Sequence, residues 1–254
     1  FMDSESFPAF AVHAVLGVAA IARARGLLVV ADDAPLVFDT SAGAVRVSVA
    51  APRGEGAGVV TMTGVPSFVL HAGVDVPLPG RRVRADVAFS GAFYAIVDAE
   101  SAGVPVDGGR LGDLRRVGRD IVRALEAAMA IEHPVDPARH GLHGVVFTAP
   151  PQAVGADLRL AAVSAAGVVD RSPACGATPA IMAVLHAMGL LDVNLPFTPE
   201  GIVGTVVDSR IERLTRVGDV TAIVPSLTAP VWLTGEHTFF VAEDDPLGEG
   251  FRLG

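Results

Sequence analysis

Three side chains in this sequence are the best placed to move a proton: Asp170, His13 and Cys175. Asp170 opens the stretch Asp170-Arg171-Ser172-Pro173-Ala174-Cys175-Gly176-Ala177-Thr178-Pro179, a tight turn that leads into an apolar run ending at Leu191. A carboxylate there is a natural turn-former. It is equally an acid–base that pairs with a substrate ammonium or iminium. His13 offers a proton that is mobile near neutral pH. Cys175 is the only cysteine; at a helix N-terminus a thiol is activated, but a lone cysteine is also a small buried hydrophobe. His140 and His143 lie in a loop with Gly and Pro but have no carboxylate or thiol companion at ligand spacing, so no metal and no other cofactor is expected.

Composition removes other chemistries. The net charge of −9 and a pI near 5.2 argue against a nucleic-acid partner, whose binding is led by phosphate neutralisation. All 19 basic residues are Arg, so a lysine Schiff base is excluded. A single cysteine fits a reducing cytoplasm. The apolar run Ala14 to Ala22 is too short to cross a bilayer, and the acidic Asp3 and Glu5 before it do not suit a signal peptide. A cytoplasmic protein with no membrane partner is expected. The bias to Ala, Gly and Val without Lys is that of GC-rich bacterial genomes.

Two apolar helices are placed to hold these groups. Thr178 suits an N-cap and Pro179 the first helical position; from Ala180 to Leu190 apolar residues cover nearly every face, which predicts a helix inside a core. Its N-terminal amides then form a buried anion site. Residues 11–25 predict a second such helix, ended by Gly26. Setting Gly26-Leu27-Leu28 against Gly189-Leu190-Leu191 overlays the helices without a gap and pairs Ala11 with Ala174. Two lobes on one plan follow. A third, amphipathic helix is predicted over 111–131, with Arg115, Arg116, Arg119 and Arg123 on its solvated face, and 133–144 is expected to be a loop. Strands are predicted within 36–50, 59–62, 67–70, 82–90, 93–97, 144–148, 158–163, 202–207, 220–224, 231–234 and 238–241. The pattern is mixed α/β with many antiparallel strands.

Asp170-Arg171-Ser172-Pro173 resembles the proline racemase family, which includes hydroxyproline epimerases and dehydratases and shares the diaminopimelate epimerase fold. Phe1-Met2-Asp3, Phe7-Pro8, Val65-Pro66-Ser67-Phe68-Val69, the stretch Asp86 to Asp98, Phe147-Thr148 to Arg159, and Gly235-Glu236-His237 are similar to family motifs in the same order. The resemblance implies two pseudo-symmetric lobes, each a mixed sheet or barrel around a central helix, with the substrate between the two helix N-termini. It places a partial N-terminal lobe at 1–85 with the family's first quarter absent, a C-terminal lobe at 86–230, and a returning segment at 231–254. A homodimer is a further expectation.

The family's two catalytic thiols are not where the resemblance would put them. Ala11 and Ala174 stand at those positions, and Cys175 is one residue late, turned by about 100° at the foot of a helix. Val12, Ala14, Gly176, Ala177 and Thr178 would line the remaining substrate cradle with Ala11 and Ala174. His13 matches the family His and Asp170 the family Asp near the substrate's ring nitrogen; Glu236 lies in a matched segment and is a third candidate. The resemblance therefore implies a cofactor-independent isomerase that shifts a double bond on a proline-like or pyrroline carboxylate, of the kind found in 4-alkylproline antibiotic pathways. The alternatives are a racemase, epimerase or dehydratase that uses Cys175, and a binding protein without activity.

Overall fold

The structure, a computed structural model, describes residues 12–28, 34–50 and 58–250. In chain order the elements are α1 (Val12–Ala24), β1 (Leu36–Thr40), β2 (Gly43–Ala50), β3 (Gly58–Thr63), β4 (Phe68–Leu78), β5 (Arg81–Phe89), β6 (Phe93–Asp98), α2 (Ala99–Ala102), α3 (Leu111–Ala128), β7 (Glu132–His133), β8 (Asp136–His140), β9 (Leu142–Ala149), β10 (Leu158–Ser164), α4 (Thr178–Ala187), β11 (Pro196–Phe197), β12 (Pro199–Gly201), β13 (Asp208–Val217) and β14 (Val220–Val231). They form two six-stranded sheets, ordered β1-β2-β3-β14-β13-β11 and β12-β10-β9-β6-β5-β4. This is the mixed α/β architecture expected. Pairs β6–β9 and β10–β12 run parallel; the other ladders are antiparallel. The β6–β9 crossover is long, as a parallel pair requires, and carries α3. Leu114, Val117, Ile121, Val122 and Leu125 bury one face of α3 against the second sheet, and the four arginines stay exposed.

The two apolar helices are equivalent in their endings. Gly26 and Gly189 both take a left-handed φ, of 64° and 72°. Each amide reaches back three residues, and the following Leu27 or Leu190 donates to Ala22 or Leu185 at 2.8 Å. This is one C-terminal capping motif made twice. The same shift of 163 positions carries β2 onto β13 and β3 onto β14. Thr63 and Ser226, which it relates, are direct partners in the β3–β14 ladder, so the pseudo-dyad passes through the first sheet. The triplet Val65-Pro66-Ser67 also recurs as Val224-Pro225-Ser226, four positions out of that register.

Several predicted elements differ. The expected 133–144 loop carries the β7–β8 hairpin. Strand β13 has no sequence forecast because a bulge between Ile211 and Arg213 breaks its alternation. The forecast strand at 202–207 is a turn through Gly204 (φ 82°), with β12 before it. β14 runs unbroken to Val231, and residues 232–241, forecast as two strands, join no ladder among the described residues. Thr178 is not the N-cap: Ala177 precedes the helix, and the Thr178 hydroxyl donates instead to the Pro173 carbonyl at 2.8 Å.

Candidate functional site

The turn before α4 is built by its own polar groups. Asp170 is tied to β10 by its amide, which donates to Ala162 O at 2.9 Å. Its two carboxylate oxygens accept from the Ser172 amide and the Ser172 hydroxyl, each at 2.8 Å. Ala174 then adopts φ 51°, a left-handed conformation that costs a residue with a Cβ roughly 1–2 kcal/mol. Its carbonyl is repaid by two donors, the amides of Ala177 and Thr178, both at 2.7 Å. Among the described residues no carbonyl accepts from the amides of Cys175 and Gly176. These two N–H groups at the foot of α4 suit a substrate carboxylate.

Two neighbouring strands close over this turn. Ser90, following β5, donates its hydroxyl to Gly176 O at 2.6 Å. The Tyr94 hydroxyl of β6 lies against Gly176: a Cβ added there would stand 3.0 Å from the phenol oxygen, so glycine is what lets the ring approach. Burial, and then the negative charge of Asp170, push the Tyr94 pKa well above the ordinary phenol value. Both effects favour the neutral phenol. The His143 ring meets it edge-on at 5.4 Å. On the far side, β12 backs the turn: a Cβ on Gly201 would lie 2.8–2.9 Å from Ser172 C, Ser172 O and Pro173 N. Replacement of Gly201 by Ala is expected to displace the turn, cost about 1–3 kcal/mol in urea unfolding, and weaken ligand binding at the α4 start more than overall fold.

Cys175 shares this turn but turns its side chain into a different core from Ala174. It is buried, and it packs into the core around α1 with Val12, Val15, Leu16 and Leu227, whereas Ala174 and Ala177 belong to the core around α4. Burial and then the Asp170 charge push the thiol up to about 11, against the pull of the Ser172 hydroxyl and its own amide. Activation by the helix N-terminus, one of the sequence expectations, is outweighed by desolvation. Iodoacetamide labelling at pH 8 is expected to be at least tenfold slower in folded than in urea-unfolded protein, with the rate still rising toward pH 10; mass spectrometry reads it directly.

Asp170, Ala174, Cys175, Gly176, Ala177 and Thr178 are thus brought together at one turn. Val12 is buried at the start of α1, Ala14 is half-buried, His13 is exposed on the first turn, and Ala11 lies outside the described residues. Glu236 is not brought to a helix start. It is exposed in the segment after β14 and pairs with Arg25, beyond the opposite end of α1. A helix of 13 residues is about 20 Å long, which sets that carboxylate far from the N-terminal turns. His140 and His143 lie on β8 and β9, and among the described residues no group of three or more His, Cys, Asp or Glu is arranged to hold a metal. No described helix is long and apolar enough to cross a membrane. Ser90, Tyr94, Ser172 and Gly201 had no role assigned from sequence. Tyr94 carried a signal: it is the only tyrosine, flanked by Phe93, Ala95, Ile96 and Val97, and a buried phenol needs a polar neighbour.

The family model described as "Proline racemase" matches residues 1–252. A 4-hydroxyproline 2-epimerase from Streptosporangium roseum is 38% identical over 248 residues, covering 95% of this chain and 72% of that protein. A trans-3-hydroxy-L-proline dehydratase from Bacillus cereus is 32% identical over 255 residues, covering 100% of this chain and 76% of the relative. Among solved structures, a hydroxyproline epimerase from Agrobacterium vitis with bound trans-4-OH-L-proline superposes with a TM-score of 0.83 at 28% identity, covering 94% of this chain and 69% of that one.

Proposed function

Because the chain belongs to the proline racemase family, we propose that it is a cofactor-independent isomerase that moves a proton on a proline-like or pyrroline carboxylate, shifting a double bond instead of inverting the α-carbon. The observation that supports this reading is the α4 start: Asp170, a buried phenol against Gly176 and two amides that, among the described residues, have no carbonyl partner meet at the turn that carries Ala174, while the thiol of Cys175 packs into the core around α1. Two-base inversion needs acid–bases on both faces of the α-carbon. A 1,3-shift needs one.

In the proposed step the substrate carboxylate rests on the amides of Cys175 and Gly176. The Asp170 carboxylate removes a ring proton; the C–H electron pair becomes part of a conjugated π system that ends at the ring nitrogen. The same carboxylic acid then returns its proton two atoms along the ring, so that no atom is gained or lost and Asp170 is regenerated. Tyr94 donates a hydrogen bond to the charge that develops during transfer. A substrate of the 4-alkylproline type, whose ring carries a conjugated side chain, gives the best-stabilised intermediate, and the reaction belongs to that kind of natural-product assembly.

A second reading is favoured by the names of the relatives: a racemase, epimerase or dehydratase in which Cys175, hydrogen-bonded by Ser172, turns into the site. One pair of measurements separates them. The isomerase shifts the ultraviolet absorbance of a diene-bearing pyrroline carboxylate and leaves proline and hydroxyproline unlabelled in D2O. Wash-in of deuterium at the α-carbon of either amino acid overturns it in favour of the second. Absence of both signals, with ligand still bound, marks a binding protein.

A further inference from the structure

The two halves of the internal repeat differ at the C-terminal ends of their helices. Under the shift of 163 positions Arg23 of α1 corresponds to His186 of α4, Ala20 to Ala183, Ala24 to Ala187, and Val60 of β3 to Ile223 of β14. In the first half a cation joins helix to sheet: Arg23 Nη1 donates to the carbonyl of Val49, the ladder partner of Val60, at 2.7 Å. His186 makes a different bond. Its ring turns back to the end of its own helix, where Nδ1 meets the Leu191 carbonyl at 2.9 Å. Beside it, between α4, β14 and the start of β4, lies a cavity of about 320 Å³, within the range of small-molecule sites. Ala183, His186 and Ala187 line it from the helix, and Ser67, Thr221 and Ile223 from the strand side.

The polar groups of this wall have spent their protons elsewhere. Leu191 O can only accept, so Nδ1 carries the imidazole proton, and Nε2 of the neutral ring is an acceptor. The Ser67 hydroxyl donates to Val65 O at 3.2 Å and keeps its lone pairs. The amides of Ser67 and Ile223 are used on each other's carbonyls, both at 2.8 Å. The carbonyl of Ala187, among the described residues, accepts from no amide. It stands in the last turn of α4, the negative end of the helix. The Thr221 hydroxyl can act either way. A wall of acceptors at a helix C-terminus is complementary to a donor that carries positive charge, and the apolar remainder of the cavity to a short alkyl stem. In the first half the chain supplies such a group itself, as Arg23.

We propose that this cavity is a binding site for a small organic cation, a short alkylguanidinium or alkylammonium, whose charged head takes the place beside α4 that the Arg23 guanidinium has beside α1. The head donates to His186 Nε2 and the Ala187 carbonyl, and the stem packs on Ala183 and Ile223. The site is separate from the turn before α4, because the ten residues of the helix put about 15 Å between its two ends.

The probes are n-butylguanidinium and n-butylammonium, with n-butyrate as the matched anion and n-butanol as the matched neutral molecule. Titration of the chain with either cation, followed by amide NMR shifts, is expected to move the signals of residues 183–187 and 220–223 and to saturate with a Kd on the order of 1 mM. Butyrate and butanol should bind at least tenfold more weakly. His186→Arg gives α4 its own guanidinium and should abolish binding. Ala187→Trp, at an exposed position on the cavity wall, should weaken it at least tenfold without touching the core. Asp170→Asn should leave it within twofold. Butyrate or butanol binding as tightly as the cations would overturn the proposal. So would the lack of a saturating shift at about tenfold that Kd, or cation binding that survives both His186→Arg and Ala187→Trp. A tenfold loss in Asp170→Asn would overturn it too, by putting the cation in the turn before α4.

Discussion

Replacing Asp170 by Asn is expected to lower the rate of the proposed double-bond shift by about 10²–10⁴-fold, the range lost when a positioned acid–base is removed. Asn keeps the oxygen that accepts from the Ser172 amide, and the Ser172 hydroxyl rotates to accept from the new NH2, so the turn at 170–173 survives. The loss should appear in kcat with KM changed no more than a few-fold, and with the urea midpoint within experimental error of the wild type. Cys175→Ala is the matching control and should leave the rate within about threefold, since the thiol faces the α1 core. His13→Ala, on an exposed position, should also be mild. Full activity in Asp170→Asn would remove this carboxylate from the reaction. A collapse in Cys175→Ala with unchanged stability would instead favour thiol chemistry.

The largest stability effect is expected at a different pair. Arg159 on β10 and Glu200 on β12 stand opposite each other in parallel register, both buried, with Nη1 and Oε1 2.6 Å apart. Arg159 also donates to Gln152 Oε1 and to the carbonyls of Val106 and Ile202; Glu200 Oε2 accepts from the amides of Gln152 and Ala153 at 2.6 and 2.9 Å. Arg159→Met removes one charge and strands the other with three unpaired carbonyl-type oxygens, so a loss of about 3–5 kcal/mol is expected in urea unfolding. Burial opposes ionisation of Glu200, but the Ala153 and Gln152 amides and Arg159 outweigh it and hold its pKa below the usual carboxylate range. The sign follows: this contribution is present above the ordinary Glu value and is lost as pH falls through the depressed one. The wild-type midpoint should therefore decline below about pH 4.5 more steeply than that of Arg159→Met. The variant should also loosen the turn before α4, because Gly201, next to Glu200, supports Ser172 and Pro173.

Local sequence carried the helices well. Their apolar periodicity and the glycines at 26 and 189 marked α1, α3 and α4 to within a few residues, and even the equivalence of α1 and α4 is written in sequence, since their caps use the same residues. Alternation revealed the regular strands. It failed where a bulge changes phase, as in β13, and where apolar residues join no ladder among the described residues, as in 232–241, because alternation records a side chain's tendency to face a core and not the presence of one. The site was half legible. Asp170 and the motif around it are contiguous. Tyr94, Ser90 and Gly201 reach the same turn from three other places in the chain, and only tertiary contact assembles them. The direction of Cys175 was hidden for a different reason: the thiol's environment is decided by which of two cores it enters, which its neighbours in sequence do not specify.

The ladder between β3 and β14 also fixes an order of events. Thr63 must wait for Ser226, 163 residues later, before the first sheet is continuous. During synthesis β4 to β12 and α3 emerge with most of their partners at hand, while β1–β3 stand as a three-stranded meander with one long bare edge. Such an edge recruits other strands as readily as its own. The return of β13 and β14 thus ends the interval in which a nascent chain is most open to pairing with its neighbours, and closure of that long loop is expected to be slower than the making of either helix.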